Sequence, residues 1–170
     1  MIEKDDIEQT LQELENIYDL AIERGDSQKI LVFYSKLAIL ELCGWIEESL
    51  DIIILDYAEN KLKNRNNQKY IEDLVKRNYG FDYENNFRKM LIQMIGLIFV
   101  EKLEHNLEER GSIITQFKSE LGSLKNTRNS AAHTHISEIL PIYDAPSITK
   151  RNFQRIYQLL IDIEAELKTL

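Results

Sequence analysis

The chain has 170 residues, 44% of them apolar and 29% charged, and 29 acids against 21 Lys and Arg give it a net charge of −8. That length suits one domain with room for a real core, and that charge excludes a nucleic-acid binder working through a broad basic surface, because counterion release needs clustered cations. It leaves open an RNA enzyme whose positive field is confined to one cleft.

Glycine and proline are scarce, six and two copies, so long uninterrupted helices are expected. Asp5 or Asp6 is placed to cap a first helix with Ile7, Leu11, Leu14, Tyr18 and Ala21 on one stripe, and Gly25 supplies its left-handed stop. The stripe reads as a packing face, on a segment (residues 1–24) that is expected to be peripheral or to meet a partner. Ser27 opens a second helix predicted to run to about Lys63. From Leu37 to Ala58 it is apolar all round, which places it at the centre of the domain or in a subunit interface. Glu41, Glu47, Glu48 and Asp51 are acids set among those hydrophobes. The lone cysteine, Cys43, sits in the same helix and reads as a buried spectator; a single thiol excludes an internal disulfide and fits a reducing compartment.

Asn64–Asn67 reads as a polar loop and Lys69–Asn78 as a short helix ended by Gly80. Asp82 then caps a segment from Tyr83 to about Arg110, with Gly96 permitting a close contact or a bend. Its apolar run Met90–Val100 is about half the ~20 residues of a membrane span and is expected to be a core helix. Gly111-Ser112 separates it from a helix predicted to reach about His135. Residues 136 to 147 hold both prolines and read as the longest irregular stretch. Ser147 caps a final helix with Phe153, Ile156, Leu160, Ile163 and Leu167 inward. No strand alternation or repeat is visible, so the fold class is an all-α bundle of long antiparallel helices, one domain over residues 1–170, closed by its C-terminal helix. The charged first residues lack the apolar region of a signal peptide, and the expected location is the cytoplasm. Two basic clusters, Lys61–Arg65 and Lys150-Arg151 with Arg155, read as solvated helix ends.

The most informative stretch is Leu124–His135. Ile114, Phe117, Leu121 and Leu124 lie on one helical face, and the next positions along that stripe are Arg128, Ala131 and His135. A guanidinium on a core-facing stripe is costly without a partner, so this helix points a cation, and an imidazole with it, at the interior or at a cleft. There is no Gly-rich phosphate loop, no His-Glu-x-x-His and no Cys pair in the sequence. No metal site and no cofactor are expected, and any chemistry is expected to run on Arg, Asn and His.

Arg128-Asn129-Ser130-Ala131-Ala132-His133 resembles the R-x4-6-H signature of HEPN domains, including the polar residue after the arginine. Gly44-Trp45-Ile46-Glu47 is similar to the Gly-aromatic-aliphatic-Glu segment of HEPN groups from bacterial conflict and RNA-repair settings, and the helix order agrees over most of residues 27–170. The resemblance implies an HEPN-like bundle and a metal-independent endoribonuclease of toxin or phage-defence type, dimeric, acting on RNA, with an antitoxin or defence protein as a possible partner and no membrane association. It implies catalytic roles for Arg128, Asn129 and His133, with Glu47 and His135 in support. A different reading is a non-catalytic HEPN module that dimerises or binds RNA or nucleotide. Members that are modified by a nucleotidyltransferase often carry Tyr two positions after the histidine; here His135 stands there, which argues against that regulation.

The residues themselves fit RNA cleavage through the ribose 2′-hydroxyl. A histidine titrates near neutral pH, an arginine suits a scissile phosphate, and Asn129 can either hold the imidazole tautomer or bond a phosphate oxygen. Four residues separate Arg128 from His133. On a regular helix His133 is turned about 140° from Arg128, whereas His135 returns to within about 20° of it. His133 therefore meets Arg128 only if the helix distorts or if the two meet across a dimer. Transesterification wants both a base and an acid, which two copies of one histidine supply. His133 is taken as catalytic, with His135 as its helper and His105 as inert. Glu47 is either the partner of Arg128 or a solvent-facing residue.

Overall fold

The computed structural model describes residues 2–135 and 141–170. Among the described residues are seven α-helices and one π-helical turn, and no strand. They are α1 (Asp5–Glu23), α2 (Gln28–Lys61), α3 (Arg65–Lys76), α4 (Arg88–Ile95), α5 (Leu97–Glu109), α6 (Ile113–His133) and α7 (Pro146–Lys168), with the π turn at Tyr83–Phe87. The all-α expectation holds.

The central element is α2. At 34 residues it is about 50 Å long, and α1, α3, α4, α6 and α7 all pack against it. Ile39, Leu42, Ile46, Leu50, Ile53 and Ile54 are buried along one face, whereas Leu37, Glu41, Gly44 and Glu48 on the opposite side are exposed, so the helix is not covered all round as its apolar run suggested. The amphipathic helices cover the buried face. α1 contributes Ile7, Leu11, Leu14 and Ala21 and lies against both α2 and α7. α7 turns Phe153, Ile156, Leu160, Ile163 and Leu167 inward, as their spacing predicts. Trp45 of α2 meets the Phe153 ring edge-on at 5.0 Å and donates its indole N–H to the Glu3 carbonyl at 2.8 Å, which pins the start of the chain. Tyr83, Phe87 and Phe117 form a second aromatic cluster of edge-to-face contacts that locks α6 to the π turn.

Several boundaries differ from expectation for local reasons. Lys4, not an aspartate, occupies the N-cap of α1, and Asp5 and Asp6 lie in its first turn, where they favour the positive end of the dipole. Gly25 does end that region at φ +68, with the Asp26 N–H returning to the Ala21 carbonyl. α3 begins at Arg65 instead of Lys69, because the Asn64 side chain accepts from the Asn66 N–H at 2.8 Å and so caps it. α7 begins one residue before Ser147, with Pro146 in its first turn, where a missing N–H costs nothing.

The largest departure is at Gly96. With φ +83 and ψ 155 it breaks the Tyr83–Arg110 segment into α4 and α5. Met90, Leu91 and Val100 are buried, but Leu97, Ile98 and Phe99 are exposed, 82% in the case of Ile98. The Met90–Val100 run is thus a core helix only at its two ends. No helix among the described residues is long and apolar enough to cross a membrane.

Candidate active site

α6 carries the signature, and its apolar stripe aims it. Ile114, Phe117, Leu121, Leu124 and Ala131 are buried, so the helix presses one fixed face on α2. Arg128 lies on that stripe and is half-buried; Asn129, His133 and His135 are exposed. The helix stays regular through His133, and the Thr134 N–H still bonds the Ser130 carbonyl at 3.0 Å. No distortion brings His133 round toward Arg128, so within one chain the two keep their ~140° divergence. His135 lies past the end of the helix, after Thr134 turns to an extended conformation.

The opposing surface is one face of α2. Lys36, Cys43 and Glu47 are spaced by seven and four residues, which returns them to nearly the same side of a helix. Arg128 acts electrostatically on Cys43, and the Lys36 ammonium donates to the Thr134 carbonyl at 2.9 Å. The two helices therefore run antiparallel here, Arg128 level with Cys43 and the histidine end level with Lys36. Burial pushes the Cys43 thiol up to about 12; the Arg128 charge works against that and the Glu47 charge adds to it. The cysteine is a protonated spectator.

Charge on this side is mostly neutralised. Lys118 pairs with Glu84 and Lys125 with Asp82. The Lys125 ammonium and the Asn85 amide together hold the Asp82 carboxyl below the usual carboxylate range. Arg128, the next cation along α6, forms no ion pair among the described residues. Its guanidinium reaches the Asn129 side-chain oxygen at 3.4 Å. Glu47 does not bridge to it: its carboxylate accepts the Gly80 N–H at 2.6 Å, anchoring the turn after α3. In the basic clusters elsewhere, Arg65 pairs with Glu72, Arg155 with Glu120, and Lys150 with Glu15 and Gln12, while Lys61, Lys63 and Arg151 are exposed. His105 sits exposed on α5 beside Glu109.

Two neighbours of the site escaped sequence reasoning. Lys36 is one; its place on the Glu47 face of α2 was the available signal. Tyr143 is the other: its hydroxyl and that of Ser130 are 3.1 Å apart, which holds the segment before α7 against α6. Residues 136–140, the rest of the expected flanking stretch, lie outside the described residues.

A family model described as RiboL-PSP-HEPN matches residues 5–169. The chain belongs to the HEPN domain family. Comparison with curated proteins and with solved structures gave no match. HEPN domains include ribonucleases and nucleotide-binding proteins, and they often dimerise and bind RNA. This HEPN domain is therefore ribonuclease-like or nucleotide-binding in class, and the family match takes in α1 as well as the signature helix.

Proposed function

We propose that this HEPN domain is a metal-independent endoribonuclease of toxin or phage-defence type, active as a homodimer. The observation that carries the reading is Arg128: a half-buried guanidinium with no ion pair among the described residues, on a helix whose lysines are paired, five and seven residues before two exposed imidazoles. Leaving that charge uncompensated costs stability, and a bound phosphate compensates it through paired, charge-assisted hydrogen bonds.

In the proposed reaction an imidazole of His133 takes the proton of a ribose 2′-hydroxyl, and the 2′-oxygen attacks the adjacent phosphorus. As that bond forms, the bond from phosphorus to the 5′-oxygen breaks, and a second imidazole, protonated, gives its proton to the leaving oxygen. The products are a 2′,3′-cyclic phosphate and a 5′-hydroxyl. Arg128 holds the phosphate and stabilises charge gathering on its oxygens; Asn129, exposed beside it, bonds a phosphate oxygen or the imidazole. The regular helix supports the dimer, because one copy turns His133 away from its own Arg128, and two copies across a cleft supply acid, base and two guanidinium groups. His135, free of the helix, assists. Glu47 supports the site at a distance by anchoring the Gly80 turn against α2. An antitoxin or defence protein is the proposed regulator, and the cytoplasm the proposed location.

The test is RNA cleavage in EDTA by the wild type, Arg128→Ala and His133→Ala, with end-group analysis and light scattering. Wild type leaves 2′,3′-cyclic ends, and each substitution lowers kcat by about 10²–10³-fold. A folded wild type that cuts neither transfer nor messenger RNA defeats the proposal and leaves a binding module; one that cuts as a monomer defeats the composite dimer site.

A further inference from the structure

The end of α6 is held from outside by a contact that the signature does not include. A helix C-terminus leaves its last carbonyls without intrahelical donors. Here Thr134, between His133 and His135, has its carbonyl taken by the Lys36 ammonium at 2.9 Å, from a residue 98 positions earlier. Lys36 stands on a rigid base, with Ser35, Ala38 and Ile39 around it buried. A peptide group is planar, so fixing the Thr134 carbonyl fixes the plane from which His135 departs and the point at which α6 stops after His133. Across the same turn, the Ser130 and Tyr143 hydroxyls, 3.1 Å apart, tie the returning chain to α6. The positive charge also faces the negative end of the helix dipole, which favours the same position.

We propose that Lys36 is a positioning residue of this site: its ammonium, bound to the Thr134 carbonyl, sets where the His133 and His135 imidazoles are presented. The role rests on the ribonuclease reading above, but the tether has consequences that do not depend on activity.

The experiment uses the full chain as wild type, Lys36→Met and Lys36→Arg. The first readout is the imidazole proton–carbon spectrum, in which His105, on α5, is the internal reference. Lys36→Met moves the His133 and His135 resonances and leaves His105 in place, and Lys36→Arg returns them toward wild type. If Lys36→Met does not fold by circular dichroism, Lys36→Gln replaces it. The second readout is steady-state RNA cleavage. Lys36→Met lowers kcat by about tenfold or more, as small misplacements of catalytic groups do, with KM changed less than about threefold and with recovery in Lys36→Arg. Unmoved histidine resonances in a folded Lys36→Met overturn the tether. A rise in KM at constant kcat overturns positioning in favour of a direct phosphate contact. A wild type that cuts no RNA sinks the ribonuclease reading instead, and the spectra still decide the tether.

Discussion

Asp51 carries the sharpest consequence for stability. One of its carboxylate oxygens is buried without a hydrogen-bond partner among the described residues. Burial, and then the neighbouring charges of Glu47 and Glu48, push the carboxyl from its ordinary 3.8 up to about 6. A folded-state pKa above the unfolded one means that the folded protein binds the extra proton between those two values. The stabilising contribution is therefore complete below pH ~4 and is lost as pH rises through 6. A gap of about two units corresponds to roughly 3 kcal/mol at ~1.4 kcal/mol per unit; the side chain is only partly buried, and residual hydration reduces this to about 1–2 kcal/mol. Asp51→Asn keeps the shape and removes the ionisation. At pH 7.5 it is expected to raise Tm by about 2–8 °C for a domain of this size, and the gain is expected to shrink toward zero by pH 4. Differential scanning calorimetry from pH 4 to 8 measures both. A difference in Tm between wild type and variant that stays flat across that range, or a variant less stable at pH 7.5, would refute the reasoning.

Two further substitutions test the frame. Glu166 is buried and accepts from Asn106 at 2.7 Å and from Arg110 at 2.8 Å, joining α7 to α5; Glu166→Ala is expected to cost about 2–3 kcal/mol at pH 7, read as a fall in urea midpoint. Asn106 first, and then Arg110, hold that carboxyl below its usual 4.5, so its contribution is present above pH ~4.5 and the gap to the variant narrows as pH falls toward 3. Gly96→Ala places a Cβ at φ +83 and is expected to destabilise by about 1–2 kcal/mol, although no neighbouring atom crowds that position; an unchanged Tm would show that the α4–α5 joint relaxes.

The sequence was most legible where a helix buries one face. The stripes of α6 and α7 follow from spacing alone, and their apolar positions are buried as expected, although α6 ends before His135, which the stripe had included and which is exposed. The central place of α2 was legible in its apolar run, but burial on every side was not realised, since Leu37, Glu41, Gly44 and Glu48 form an exposed strip. Ends were harder. Asn64 caps α3 through a side-chain bond that a run of amides and cations does not advertise, and Pro146 starts α7 where Ser147 looked the better cap. Gly96 was seen as a bend but not as a full break, since apolar residues continue on both sides of it. In the site, periodicity put Arg128 on the buried stripe correctly, yet the direction of Glu47 was undecidable, because its acceptor role depends on the Gly80 N–H of another loop. Lys36 was missed for a related reason: spacing puts it on the Glu47 face of α2, but its bond to a carbonyl 98 residues away leaves no trace in the pattern.

The pairing of α1 with α7 bears on how this protein is made. The first and last helices of the fold lie side by side, and Trp45, beside the chain's start, packs on Phe153 of the last helix. A nascent chain emerging from the ribosome presents α1, α2 and the signature helix α6 before α7 is available to cover them. The core closes only once α7 has left the exit tunnel. A chain halted before α7 keeps the signature helix but lacks the helix that packs on α1, α2, α5 and α6.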